Sequence, residues 1–293
     1  MPMNQPDFQK ITPLLLISPN GMLGRAWREL LDAHGLDYET AARPDFDLNQ
    51  PETIEAHLVD GVRTVINCSA WTDVDGAETH EADAMLVNGE AVGQLARRCQ
   101  AINATLVHYS TDYVFNGRAE TPYRTDQPRD PLNAYGRTKA RGELLIEQSG
   151  CEHLIIRTSW LYAPWGSNFV RTMARLTAEK PTLRVVDDQR GRPTSCEHLA
   201  TTSLALLQNG GRGVYHITDG GECTWCEFTQ EINRQLGHSC DVQPCTTDEF
   251  PRPAKRPAYS VLDLSEAEHL VGPMPEWKVN LRSVLDRMAG STE

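Results

Sequence analysis

The sequence predicts an α/β fold: a doubly wound parallel sheet with a smaller C-terminal lobe. Three observations predict it. Leu14, Leu15, Leu16 and Ile17 form an unbroken apolar run that leads into S-P-N-G-M-L-G and then a helical pattern through Trp27, Leu30 and Leu31. Short apolar runs then alternate with longer helical stretches four times, as expected when crossover helices cover strands buried on both faces. After Trp160 the composition shifts to a turn-rich connection and smaller elements.

Composition sets the outer limits. With 293 residues, 23% charged and 40% hydrophobic, the chain has the make-up of an ordinary water-soluble protein with an ample core. A net charge of −12 argues against a nucleic-acid surface, and it means that an anionic substrate would need local groups to capture it. The start, M-P-M-N-Q-P-D-F-Q-K, lacks the basic and apolar regions of a secretory signal, and no run approaches the ~20 apolar residues of a membrane span. Eight scattered cysteines suggest reduced thiols and a cytoplasmic location.

Taken in order, residues 1–11 read as a loose extension. The strand at 14–17 and the turn after it open a dinucleotide-binding unit, in which Asn20, Gly21, Met22 and Leu23 would receive the cofactor's pyrophosphate on backbone N–H groups. Gly21 and Gly24 sit in a G-x-x-G-x-x-G frame whose first position is Ser18. A second strand, Tyr38–Ala41, ends at Arg43 with no carboxylate for a ribose 2′-hydroxyl. An arginine there suits a 2′-phosphate, so NADPH is expected, with NADH as the second choice. Thr64–Asn67 reads as a third strand, ending in C-S-A-W-T-D-V-D; the helix after it carries Met85, Val87, Asn88 and Leu95. Leu106–Tyr109 reads as a fourth strand and 154–160 as a fifth.

The chemistry concentrates between Ser110 and Glu143. S-T-D-Y-V-F-N-G follows the fourth strand, placing Thr111 at its carboxyl end. Asn133 caps a helix on which Tyr135 and Lys139 lie one turn apart on one face. Reducing a ketone needs a hydride carrier and a proton for the oxygen as charge builds there. Tyr135 can supply that proton. A free phenol titrates near ~10, and a neighbouring cation such as Lys139 is expected to lower that by roughly 1 to 3 pH units. Thr111 can donate to the same oxygen. Asp112, next along an extended chain, is expected to face away from Thr111.

Beyond Asn168, which opens another helix, come V-V-D-D-Q-R-G-R-P-T, a helix from His198 to Leu207, a strand at Val214–Ile217 and a capping box from Thr224 to Glu227. Residues 12–167 are expected to form the dinucleotide-binding domain, with a returning segment near 190–218. Residues 168–189 and 219–293 are expected to form the substrate-binding lobe.

With these motifs assembled, the chain resembles the dTDP-4-dehydrorhamnose reductase family of the extended short-chain dehydrogenase/reductase superfamily, whose fold is of the Rossmann type. The resemblance runs from about Leu14 to Leu285 and rests on V-I-N-C-S-A-W-T-D-V-D-G-A-E, S-T-D-Y-V-F-N-G, P-L-N-A-Y-G-R-T-K, R-T-S-W-L-Y, D-Q-R-G-R-P-T and R-P-A-Y-S. It implies reduction of the 4-keto group of a nucleotide-linked 6-deoxyhexose by a catalytic triad of Thr111, Tyr135 and Lys139, with Lys139 also holding the nicotinamide ribose. It further implies that Asn67, Ala70 and Asn88 flank the cofactor and that Thr72, Val74 and Trp160 border the sugar. Asn168 and Arg256 would lie toward the nucleotide diphosphate, and a homodimer is one expectation. Ser18, Cys68, Ser69 and Asp73 depart from the family pattern.

Other readings remain open at this level. A non-catalytic NADP-binding subunit similar to the methionine adenosyltransferase β subunit would keep much of the triad. An epimerase of the same superfamily would share the fold. Cys223, Cys226, Cys240 and Cys245 could be a zinc site but fit packing cysteines better, so no metal is expected. Asp187, Asp188 and Glu197 could hold a divalent ion or form a solvated acidic turn. His108 reads as a core histidine.

Overall fold

The computed structural model describes residues 8–290; of the expected N-terminal extension, residues 1–7 lie outside them, and Phe8–Lys10 form one 3-10 turn. β1 (Leu14–Ile17) is buried at every position. Leu14 and Leu16 face one core while Leu15 and Ile17 face the other. That two-sided burial is why the strand reads as a continuous apolar run.

From β1 the chain passes through α1 (Met22–Ala33), β2 (Tyr38–Ala41), α2 (Pro51–His57) and β3 (Thr64–Asn67). Two short helices, α3 (Val74–Thr79) and α4 (Glu81–Met85), lead through a π-helical turn at Leu86–Glu90 into α5 (Ala91–Ala101). β4 (Thr105–Thr111), α6 (Ala134–Ser149) and β5 (His153–Thr158) complete the first half. Asn133 caps α6 by accepting from the Gly136 N–H, and Gly150, at φ 74°, ends it in the left-handed region.

The second half contains β6 (Leu161–Tyr162), α7 (Phe169–Glu179), β7 (Thr182–Val186), β8 (Arg190–Gly191), β9 (Thr194–Ser195) and α8 (Cys196–Gln208). It continues through β10 (Gly213–His216), β11 (Cys223–Thr224), α9 (Trp225–Gln235), β12 (Asp241–Cys245), α10 (Ser265–Val271) and α11 (Trp277–Gly290). The expected capping box at Thr224 and Glu227 opens α9.

Six strands form the central sheet in the order β10-β5-β4-β3-β1-β2, and every pairing is parallel. β2 lies on one side of β1 and β3 on the other, so the order reverses at β1. The carboxyl ends of β1 and β3 therefore flank the crevice where such sheets bind ligands. Residues of α1 and α8 pack on one face of the sheet, those of α2, α5 and α6 on the other. A separate apolar cluster unites α7, α9 and α11 through Val170, Phe228, Ile232, Trp277, Leu281 and Leu285. The segment carrying α8 and β10 returns to the main sheet, while Leu264 and Ala267 of the α10 region join the core under α1 and α8. Among the described residues no helix is long and apolar enough to cross a membrane.

Candidate active site

β4 and α6 bring the key side chains together. All seven residues of β4 are buried, which carries Thr111 into the crevice with 6% exposure. α6 presents Tyr135 and Lys139 toward the same cleft, a space of about 630 Å³ that Thr111, Tyr135, Lys139, Trp160 and Trp225 line. Gly136 lets α6 approach: a Cβ there would come within 2.1 Å of the Tyr113 carbonyl.

The electrostatics differ from the expected ones. Burial pushes the Tyr135 phenol up, the Asp112 carboxylate pushes it further, and the Thr111 hydroxyl beside it works the other way. The expected lowering by Lys139 is not found, because the lysine nitrogen is turned to β4. Lys139 Nζ donates to the Tyr109 carbonyl at 2.6 Å and lies 3.1 Å from His108 Nε2. Burial lowers Lys139 to about 8, with Glu143 acting against it.

Asp112 also departs from expectation. The strand ends at Thr111 and a 3-10 turn begins, so strict alternation fails and the carboxylate folds back beside its neighbour. The Thr111 hydroxyl donates to Asp112 Oδ1 at 2.9 Å. Burial raises Asp112 to about 6, despite that hydrogen bond.

The cofactor half of the crevice is built from α1 and the loops after β2 and β3. A second cleft of about 630 Å³ shares Ser18, Ser69 and Ala70 with the first, and Asn20 and Arg43 line it. Gly21 precedes α1 with no side-chain cap, leaving the first-turn N–H groups of Met22 and Leu23 without a capping side chain. Helix-start N–H groups without a side-chain cap suit a pyrophosphate. Gly24 is obligatory for the tight turn: a Cβ there would lie 2.0 Å from the Ser18 carbonyl. Ser18 itself takes φ 61°, the left-handed region that its glycine counterpart would enter freely. The serine therefore keeps the turn at a cost in strain and leaves the crevice open. These residues fit a dinucleotide. Arg43 is well exposed and pairs with Asp47 at 2.9 Å.

Trp160 holds φ 50° and stacks on Trp225, centroids 3.5 Å apart and planes 11° apart. Its indole rests against Gly191, where a Cβ would be 2.8 Å from the ring. Thr72 and Val74 line the cleft opposite.

Comparison with known proteins agrees with this geometry. The model of the RmlD substrate binding domain matches residues 12–289. The chain belongs to the RmlD family. It is 39% identical to a dTDP-4-dehydrorhamnose reductase of Streptomyces griseus over 94% of each chain. It is 40% identical to a dTDP-4-keto-6-deoxy-D-glucose reductase of Streptomyces niveus, covering 85% of this chain and 87% of that one. A dTDP-4-dehydrorhamnose reductase from Bacillus anthracis, solved in complex with NADP, superposes with a TM-score of 0.89 at 32% identity, covering 94% of this chain and 98% of that one.

Within the RmlD family frame, several residues named from sequence stand behind the cleft wall. Asn88 is fully buried on the π-helical turn: its amide accepts from the Trp71 N–H and donates to the Trp71 carbonyl and to Thr138 Oγ1. It thus fixes the loop that lines the cofactor cleft. Asn67 touches the cleft, but its amide is engaged by Ser69 and His108. Asn168 caps α7 and donates to the Ala163 and Trp165 carbonyls, bracing Trp165 against Met22. Arg256 bonds Asp75 at 3.0 Å behind the Tyr113 ring.

The acidic trio is not a cluster. Asp187 accepts from Thr224, Asp188 from Thr247, and Glu197 pairs with Arg287. All eight cysteines are free, and among the described residues no group of three or more His, Cys, Asp or Glu is placed to hold a metal. Sequence reasoning missed Trp225 and Asp112. Nothing local ties Trp225 to Trp160, 65 positions earlier; for Asp112 the signal was the end of the strand.

Proposed function

We propose that this chain is an NADPH-dependent reductase acting on the 4-keto group of a nucleotide-linked 6-deoxyhexose, converting dTDP-4-dehydrorhamnose to dTDP-L-rhamnose. The convergence of Thr111, Tyr135 and Lys139 on one cleft, beside the Trp160 and Trp225 indoles, carries the reading. NADPH, when bound, supplies the hydride to the ketone carbon. Tyr135 gives its phenolic proton to the ketone oxygen, and Thr111 orients that oxygen; positioned proton transfer of this kind contributes about a hundred to ten thousand-fold. The raised phenol keeps Tyr135 protonated in the resting protein but makes it a weaker acid, so proton transfer depends on positive charge brought beside it.

Lys139 would hold the nicotinamide ribose and, charged there, supply beside Tyr135 the positive charge that it does not lend in the resting protein. The first turn of α1 holds the pyrophosphate, with Asn20, Gly21, Met22 and Leu23 around it and Ala70 on the far wall. Arg43 meets the 2′-phosphate, in competition with Asp47. Thr72, Val74 and Trp160 border the deoxysugar. Asn67 and Asn88 act by shaping the cofactor wall, and Asn168 and Arg256 by bracing the nucleotide-diphosphate side.

We assign residues 12–167 and the returning segment near 190–218 to the dinucleotide domain, and 168–189 with 219–293 to the substrate lobe, except that the α10 segment of 219–293 packs back onto the dinucleotide core. The cluster that joins α7, α9 and α11 supports the lobe. Free cysteines fit a cytoplasmic setting, a net charge of −12 speaks against nucleic acid, and the working unit is a homodimer, which sedimentation would read.

The test is NADPH oxidation with dTDP-4-dehydro-6-deoxy-L-mannose as the offered ketone. Turnover with NADPH exceeding that with NADH is expected; no oxidation with either cofactor overturns the reading.

A further inference from the structure

Lys139 has a side that the reaction described above does not use. Its nitrogen sits against β4, and behind it lies a chain of three groups that can be assigned atom by atom. The Ser69 backbone N–H donates to Asn67 Oδ1 at 3.0 Å, which fixes the orientation of that amide. Asn67 Nδ2, a donor only, is then 3.2 Å from His108 Nδ1. His108 is fully buried, and its charged form is disfavoured by burial and by Lys139. A neutral imidazole that accepts at Nδ1 carries its one proton on Nε2. That nitrogen is the one 3.1 Å from Lys139 Nζ.

We propose that His108 is a positioning residue for Lys139: locked by Asn67 in the Nε2-protonated tautomer, it presents a donor to the lysine nitrogen and so favours the amine over the ammonium ion. The inference rests on the role of Lys139 in the reading above. An ammonium has three donors and no acceptor, so opposite an Nε2–H it faces donor against donor. An amine accepts from Nε2–H and still donates to the Tyr109 carbonyl at 2.6 Å. For the ammonium to be welcomed, His108 must move its proton to Nδ1, and the Asn67 amide then loses its acceptor in a buried site. The lysine charge and the histidine tautomer are thus one coupled equilibrium.

The other groups facing Lys139 act in known directions. Burial lowers it to about 8, and Glu143, one turn further along α6, raises it. Glu143 is itself held by Arg157 and Arg129. Tyr135 lies one turn back. His108 therefore places the ionisation of Lys139 where a cofactor hydroxyl that accepts from the lysine can recharge it.

The test is 15N NMR of the full chain labelled at histidine, without cofactor, near pH 7, with His108 assigned by the signal lost in His108→Gln. The expected signature is a neutral ring protonated at Nε2; a ring protonated at Nδ1, or an imidazolium, overturns the proposal. Asn67→Ala removes the lock, so His108 should shift toward the Nδ1-protonated form. The deprotonation of Lys139, followed at its labelled nitrogen, should move up by about one pH unit or more. An unchanged tautomer and titration in that variant also overturn it. Neither readout needs turnover, so a protein that shows the expected tautomer but reduces no ketone sinks only the functional reading, and the reverse result sinks only this one.

Discussion

Thr111 gives its hydroxyl hydrogen to Asp112 across 2.9 Å, a bond that the hydroxyl must exchange for one to the ketone when it steadies a substrate oxygen. The carboxylate is almost fully buried, and burial raises it from 3.8 to about 6. A carboxyl raised in the folded state is easier to protonate there than in the unfolded chain. Its ionisation costs no stability below the unfolded value, costs progressively more as pH climbs to about 6, and costs a constant amount above that. Asp112→Asn keeps an acceptor for Thr111 and removes the charge. It should stabilise the fold by up to roughly 3 kcal/mol at pH 8 and by less than about 1 kcal/mol near pH 4. Chemical denaturation at the two pH values measures this; equal gains at both would show that the charge is not the cause.

Glu143 behaves in the opposite sense. Burial pushes it up, but the Arg157 and Arg129 guanidiniums more than offset that and hold it below the usual range. The stability it brings is present above the unfolded carboxylate value and is lost as pH falls through the depressed one. Glu143→Gln leaves Arg157, 2% exposed, without its counter-charge, and should cost about 3–5 kcal/mol. The double variant Glu143→Leu with Arg157→Met should recover most of that loss in urea unfolding.

Ser18 carries backbone strain at the mouth of the crevice. Glycine enters φ 61° without penalty, so Ser18→Gly should stabilise the fold by about 1 kcal/mol and tighten cofactor binding. Gly24→Ala should do the reverse, since its Cβ would meet the Ser18 carbonyl at 2.0 Å. Fluorescence titration with NADPH ranks the two; a wild-type affinity in Gly24→Ala would contradict the role given to this turn.

What the sequence made legible follows from range. The continuous apolar runs of β1 and β3 need no partner to be read, and Tyr135 and Lys139 share a face because helical spacing puts them there. The glycine turn and the Thr224–Glu227 capping box are equally local. Contacts between distant segments were not legible: Trp225 under Trp160, the Asp75 grip on Arg256 and the separation of Asp187 from Glu197 are set by packing of separate elements. Asp112 was misread for a different reason, because alternation holds only while the strand lasts. His108 was rightly read as buried, but the identity of its neighbours lay in β3 and α6.

The stacked indoles give a prediction for the sugar side. Trp225→Ala removes the support under Trp160, and an aromatic pair is worth about 0.5–1.5 kcal/mol beyond its buried area. KM for the sugar nucleotide should rise by roughly 3- to 10-fold, with NADPH affinity unchanged. Steady-state kinetics with each ligand varied in turn separates the two; a loss confined to NADPH would place the pair on the wrong ligand.

The most direct measurement is Tyr135→Phe, which deletes one oxygen atom and leaves the ring in the cleft. Single-turnover reduction of the 4-keto sugar nucleotide should slow by at least about a hundred-fold while the NADPH dissociation constant stays within about two-fold of the parent. A variant that binds NADPH and reduces the ketone at the parent rate would contradict the account, because the proton would then come from elsewhere.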